Sequence, residues 1–182
     1  MRVAQEVEKR LVRAIDAFLK VEVNLFKARS RERILTATLA QGYLRGTFAP
    51  WDADPEYGRF GTGTKRYHIP SRKPNPKGHP VTPDIIIHRR LHPPDNLLAI
   101  EAKPDDGDSS KDREKLASYF KKPLAYQYVA LLVFGTEGKA WCSYELFRQG
   151  ENPKKPKQPI VRSRTLLDRQ MTMCVSNPDR SA

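Results

Sequence analysis

The sequence predicts an α/β domain in which a β-sheet is flanked by helices, in the order α-α-β-β-β-α-β-β. Three observations carry this expectation. Val3, Val7, Leu11, Ile15, Phe18 and Leu19 recur at helical spacing over residues 3 to 20, with Glu, Lys and Arg between them, the pattern of an amphipathic helix. Two short runs, Ile85-Ile86-Ile87 and Leu97-Leu98-Ala99-Ile100, lie among Pro and Asn and read as buried strands. A third apolar run, Tyr126 to Phe134, follows a helical stretch. At 182 residues the chain fits one domain with a sizeable core.

In chain order, the helix over 3 to 20 is followed by a second that starts near Ser30, a reasonable N-cap, and ends at Gly46. Ile34, Leu35, Leu39 and Tyr43 form its expected core face, and Glu32 lies in its first turn. The stretch Asp54 to Arg59 is expected to enter the first strand. Residues 61 to 80 hold four prolines and three glycines together with Lys65, Arg66, Arg72, Lys73 and Lys77. They are expected to form a long basic loop or extended hairpin, a plausible DNA-contacting arm. The strands at 83 to 90 and 97 to 103 are separated by so short a turn that antiparallel pairing is favoured. Lys111 to Lys122 reads as a helix with Leu116, Tyr119 and Phe120 on one face. Trp141 to Phe147 reads as an edge strand hairpinned to the strand over 126 to 134 through Gly135-Thr136-Glu137-Gly138. From Gln149 onward Pro, Lys and Arg dominate, so the domain is set at 1 to 148 and 149 to 182 is expected to be a loosely ordered basic tail.

Composition narrows the function. The hydrophobic fraction of 38% and charged fraction of 30% are those of a folded, polar-surfaced chain. No stretch approaches the ~18 apolar residues of a membrane span, and the first residues lack a signal-peptide core. Cys142 and Cys174 are too few and too scattered for a disulfide framework or a zinc site, which fits a reducing cytoplasm. The net charge of +12 points to an acidic partner, with nucleic acid the default because Lys and Arg contacts to phosphate dominate such binding. Solubility alone is the plainer explanation of that charge.

The acids at the edges of the two apolar runs are the chemical signal. Side chains alternate along a strand, so Asp84 of Pro83-Asp84 shares a face with Ile86 and His88, and Glu101 of Glu101-Ala102-Lys103 shares one with Lys103. Antiparallel pairing brings Asp84 opposite the end of the second strand, near Glu101 and Lys103. Burying these charges is costly unless they are paired or hold a metal. The dipeptide Pro-Asp and the spacing Glu-x-Lys recur elsewhere, at Pro94-Asp95, Pro104-Asp105, Pro178-Asp179 and Glu137-Gly138-Lys139, but only the copies at Asp84 and Glu101 adjoin strand-like apolar runs.

On these residues the chain, over roughly 1 to 148, resembles the PD-(D/E)XK nuclease superfamily, whose restriction-endonuclease-like core has a central mixed β-sheet flanked by helices. The resemblance implies a metal-dependent nuclease, using Mg²⁺ or Mn²⁺, with Asp84 as metal ligand and Glu101 and Lys103 as the acid and lysine of the second motif. It also implies a contribution from Glu32 on the early helix. Mg²⁺ typically takes one or two protein carboxylates plus waters and substrate phosphate. Asp84 and Glu101 would be those ligands and the Ala102 carbonyl a neutral one, while Lys103 would orient or help deprotonate the water. The expected substrate is DNA in preference to RNA, cut in a restriction, defence, mobile-element or repair setting, and two-fold assembly would suit cutting both strands.

Three alternatives stand beside this. One is a salt-bridged sheet edge worth little energy, another a nucleic-acid-binding protein that keeps the fold without cutting, and a third a module whose basic face docks an acidic protein. Glu32 could merely offset the helix N-terminus. His88 is expected to be a satisfied or exposed histidine, with Gln127 and Lys115 as secondary polar candidates.

Overall fold

The fold was obtained as a computed structural model that describes residues 2–60, 63–64, 66–67, 79–80, 82–90, 95–105, 108–135 and 140–163. Helix α1 (Arg2–Val21) is followed by α2 (Val23–Lys27), α3 (Glu32–Leu39), a π-helical turn over Ala40–Leu44 and α4 (Arg45–Thr47). Strand β1 (Asp52–Pro55) opens the sheet region. Two small antiparallel ladders come next, β2 (Arg59–Phe60) with β3 (Gly63–Thr64) and β4 (Arg66–Tyr67) with β5 (His79–Pro80). The chain then forms β6 (Ile85–His88), β7 (Asn96–Pro104), α5 (Ser110–Tyr119), β8 (Tyr128–Phe134), β9 (Trp141–Arg148) and β10 (Ile160–Ser163).

The main sheet is six-stranded and mixed, in the order β1-β6-β7-β8-β9-β10. Among the described strands only β7 and β8 pair in parallel. A parallel pair needs a crossover connection, and α5 supplies it. The expected antiparallel pairing of the two acid-bearing runs is present, with Ile85 opposite Ile100 and Ile86 opposite Ala99.

Alternation along the strands divides the apolar residues between two cores. Ile85, Ile87, Leu98 and Ile100 pack against Leu11, Ile15, Phe18 and Leu19 of α1 and Leu35 and Leu39 of α3. Ile86, Ala99, Val129 and Leu131 point the other way, onto Leu116 and Tyr119 of α5 with Leu124 and Tyr126. The isoleucine run is buried throughout because both faces of the sheet are covered, as near-continuous apolar strands require.

Several expectations are corrected. The second helix starts at Glu32 with Arg31 as its N-cap, and no side chain caps it. Ser30 instead closes the short helix α2, its N–H donating to Leu25 O at 2.9 Å while Arg29 takes a positive φ of 50°. The helical run passes Gly46 to Thr47 through the π turn. The face of α3 turned to the core carries Leu35, Thr36 and Leu39, which leaves Ile34 exposed at 49%, and beyond the π turn the buried residue is Leu44 where Tyr43 was expected. The first strand stops at Pro55, and Glu56 leaves it with φ 46°. The boundary expected at 148 falls inside the sheet's span, because β10 lies beyond it and pairs with β9, which is therefore interior and not an edge. An ion pair and a backbone-to-carboxylate hydrogen bond hold that last segment. Arg162 donates to both oxygens of Asp16 on α1, at 2.7 and 2.6 Å, and Lys157 N–H donates to buried Glu145 at 2.7 Å. Those partners are distant in sequence, so composition alone reads the segment as a tail.

Candidate functional site

The acids converge where the register predicts. Extending the pairing of Ile85 with Ile100 by one residue sets Asp84 across from Glu101, on the face that carries Ala99 and meets α5. Asp84 is fixed twice. Its Oδ2 accepts from the Ala102 N–H at 2.7 Å, and its carbonyl accepts from the Glu56 N–H at 2.9 Å. Ala102 turns its own side chain to the opposite core, so only its backbone reaches the site.

Glu101 is 1% exposed. Lys115 Nζ donates to its Oε2 at 2.7 Å, and the Tyr119 hydroxyl donates to Oε1. Lys103 is 6% exposed; its ammonium donates to the Asp108 carbonyl and to Asp112 Oδ2, the latter at 3.1 Å. Asp112 also accepts from Lys115 at 3.1 Å, so it lies between the two lysines. Helix α3 packs against β7 and brings Glu32 near enough to feel the charges of Asp84, Asp112, Lys103 and Lys115.

The electrostatics are those of an anionic excess. Burial, then the charge of Asp84, raises Glu101 to about 7 although Lys115 and Tyr119 oppose it. Burial, then Asp84 and Asp112, raises Glu32 to about 7. Asp84 is also raised, mainly by burial, against the pull of the Ala102 N–H and of Lys115. Burial works to lower the Lys115 ammonium, but Glu101 and Asp112 outweigh it and Lys115 is raised. Burial and the neighbouring Glu101 hold the Tyr119 hydroxyl well above its usual range. Four carboxylates, Glu32, Asp84, Glu101 and Asp112, face two ammonium groups, Lys103 and Lys115. Fully ionised, the cluster lacks two positive charges, which protons or one divalent cation would supply.

This donor set fits a hard divalent cation held in the sparse manner of Mg²⁺, by one or two carboxylates with water and substrate oxygens completing the shell. It is not a preformed all-protein cage: among the described residues no group of three or more His, Cys, Asp or Glu side chains is arranged to hold a metal.

The sequence-predicted residues thus divide. Asp84, Glu101, Lys103, the Ala102 backbone and Glu32 come together. Arg66 is exposed on β4, while Lys65, Arg72, Lys73 and Lys77 lie outside the described residues. His88 is buried and bonded to Asp54 at 2.9 Å, with Arg90 donating to both Asp54 oxygens. Gln127 is exposed and spends its backbone on Asn96 and Gln149. Lys115 is a full member of the cluster, and Asp112 and Tyr119 were missed. The signal for them was their spacing, since 112, 115 and 119 recur at helical intervals on one face.

No protein-family model matches the chain, and no curated protein is significantly similar to it.

Proposed function

We propose that the chain is a metal-dependent nuclease that hydrolyses phosphodiester bonds, with DNA as the favoured substrate. The observation that carries this reading is the charge-deficient carboxylate cluster at the end of β7, with two lysines inside it. It is the arrangement that the PD-(D/E)XK resemblance implies, and the net charge of +12 suits a phosphate backbone.

Asp84 and Glu101 would hold Mg²⁺ or Mn²⁺, with the Ala102 carbonyl and Glu32 near enough to join directly or through water. When bound, the cation would neutralise charge developing on the phosphoryl oxygens and lower the pKa of a water. The chain's own residues do the rest. The Ala102 N–H fixes the rotamer of Asp84, and Tyr119 fixes that of Glu101. Lys103, anchored by Asp112 and the Asp108 carbonyl, carries a proton donor at the edge of the acidic group, where it can orient the attacking water and offset charge on the phosphate. Lys115 opposes the effect of burial on Glu101 without overcoming it, and its ammonium shares the carboxylate that a cation would use.

The test is cleavage of plasmid and single-stranded DNA with Mg²⁺ or Mn²⁺, beside EDTA and the isosteric Asp84→Asn and the Lys103→Ala variants. Cutting that needs metal and is lost in both variants supports the reading. One observation favours a second reading, a nucleic-acid binder that does not cut: both oxygens of Glu101 are already engaged. Salt-sensitive DNA binding with no cutting under any metal would select it.

A further inference from the structure

From the last residue of α2 to the first turn of α3 the chain carries Lys27, Arg29, Arg31 and Arg33, cations at alternate positions, and all of them are exposed. Arg33 reaches Glu56 at 2.8 Å. Lys27, Arg29 and Arg31 have no acidic partner among the described residues. Several basic side chains elsewhere are tied to acids, among them Arg10 to Glu6, Arg90 to Asp54, Arg113 to Glu145 and Arg162 to Asp16.

The turn is held by its backbone. Arg29 N–H donates to Phe26 O at 3.0 Å and Ser30 N–H to Leu25 O at 2.9 Å. Arg29 itself sits at φ 50°, a left-handed conformation uncommon outside glycine. It lines a crevice together with Ser30, Glu32, Pro104 and Gly135. Phe26, Leu35 and Phe134 complete its lining, and Glu32, which feels the charges of Asp84 and Asp112, is the member it shares with the acidic cluster.

Alternate residues on an extended chain are at most about 7 Å apart, within a Debye length of roughly 8 Å at physiological salt. The cations therefore repel one another, and a ligand with regularly repeated negative charge relieves that repulsion most. A nucleic-acid strand is such a ligand. We infer that Lys27, Arg29 and Arg31 form a phosphate-binding strip that seats the DNA strand on the surface beside Glu32 and the acidic cluster. This rests on the nuclease reading and adds a substrate contact distinct from the basic residues expected to act over 61 to 80.

The experiment is equilibrium binding of the full chain to a fluorescent DNA duplex in EDTA, across about 50 to 200 mM salt. The variant combines Lys27→Gln, Arg29→Asn and Arg31→Gln, with Asn chosen because it tolerates positive φ. Each lost phosphate contact flattens the plot of log affinity against log salt by about 0.9. The variant is expected to flatten it by roughly 2 to 3 and to bind at least about tenfold more weakly at low salt. A charge-keeping Lys27→Arg/Arg31→Lys variant keeps the original slope. A variant that binds with unchanged slope and affinity overturns the strip and leaves the nuclease reading standing. No DNA binding by the unaltered protein overturns both. Polyglutamate bound as tightly as DNA reassigns the strip to an acidic protein.

Discussion

Two buried acidic groups occupy one face of the same sheet, at opposite ends of β6, and they are wired in opposite ways. At the far end, Asp54 meets Arg90, which donates to both its oxygens, and His88 at 2.9 Å, with the Tyr57 ring tilted against that of His88 at 4.8 Å between centroids. Burial works to raise Asp54, but Arg90 and His88 outweigh it and its carboxyl is held below the usual range. At the near end, Asp84, Glu101 and Glu32 are raised despite two lysines. A carboxylate whose partners more than offset its burial is a fastener. A group left short of positive charge is poised to take up a cation or a proton. The sign of the shift separates the two roles where motif letters do not.

Paired substitutions break the comparison most sharply. Asp84→Asn keeps the shape of the side chain but removes a charge from the deficient cluster. Metal-dependent cleavage should fall by about 100- to 1000-fold, the scale for losing one group that stabilises developing charge. Asp54→Asn should leave cleavage per folded molecule unchanged and lower stability by about 1–3 kcal/mol, because Arg90 and His88 lose a charged acceptor. Cleavage assays beside urea denaturation measure both. Equal loss of cleavage in the two variants would erase the distinction.

pH sharpens it next, because the two groups act with opposite sign. Glu101 and Glu32 titrate near 7 in the folded protein and near 4.5 when unfolded, so the native state binds more protons between those values. Their contribution to stability is fully present below about 4.5 and is lost as pH rises through about 7. Asp54 does the reverse: its contribution is present above the unfolded value near 3.8 and is lost as pH falls through the lowered native value. In EDTA, denaturation should show the protein less stable at pH 8 than at pH 5.5, by on the order of 1–3 kcal/mol. Mn²⁺ should restore stability at pH 8 by binding the native state alone. An alkaline optimum in EDTA would contradict the raised carboxyls.

The near group was largely legible in sequence because it obeys local rules. Strand alternation and a short connection suffice to bring Asp84, Glu101 and Lys103 together, since the turn fixes antiparallel pairing and the pairing fixes the face. Glu32 needed only to lie in the first turn of a helix that packs on β7. The far group was not legible. Asp54 and Arg90 lie 36 residues apart, and nothing periodic links β1 to the turn after β6. The same limit hid β10, whose anchors Asp16 and Glu145 are remote from Arg162 and Lys157. Asp112, Lys115 and Tyr119 fall between these cases. Their helical spacing was readable, but a polar stripe on a short helix reads equally as a solvated face until the strand beneath it is known to be charged.

Tyr119→Phe tests how far the near group depends on its supporting shell. The hydroxyl is one of two donors to Glu101 and helps hold it ionised. Its loss should raise the Glu101 carboxyl further and, at pH 8, destabilise the metal-free protein by about 1–2 kcal/mol, the scale of a buried hydrogen bond to a charged acceptor. The same variant should lose little at pH 5, where Glu101 is already protonated. A cost independent of pH would mean that Tyr119 contributes through packing alone.

The smallest effect expected is also the most diagnostic of what Lys115 does. Its ammonium sits 2.7 Å from Glu101 Oε2, so it neutralises the carboxylate that a metal would use. A cation competing for the same charge weakens binding of another, and removing it strengthens the field that a divalent ion meets. Lys115→Met keeps the aliphatic stem that packs along α5. At pH 8, where proton competition is least, it should bind Mn²⁺ about 3- to 10-fold more tightly by calorimetry. Asp54→Asn, at a carboxylate already held by Arg90 and His88, should leave Mn²⁺ affinity where it was. Weaker Mn²⁺ binding in Lys115→Met would mean that the lysine holds Glu101 in a metal-ready ionisation state, and its role would move from competitor to support.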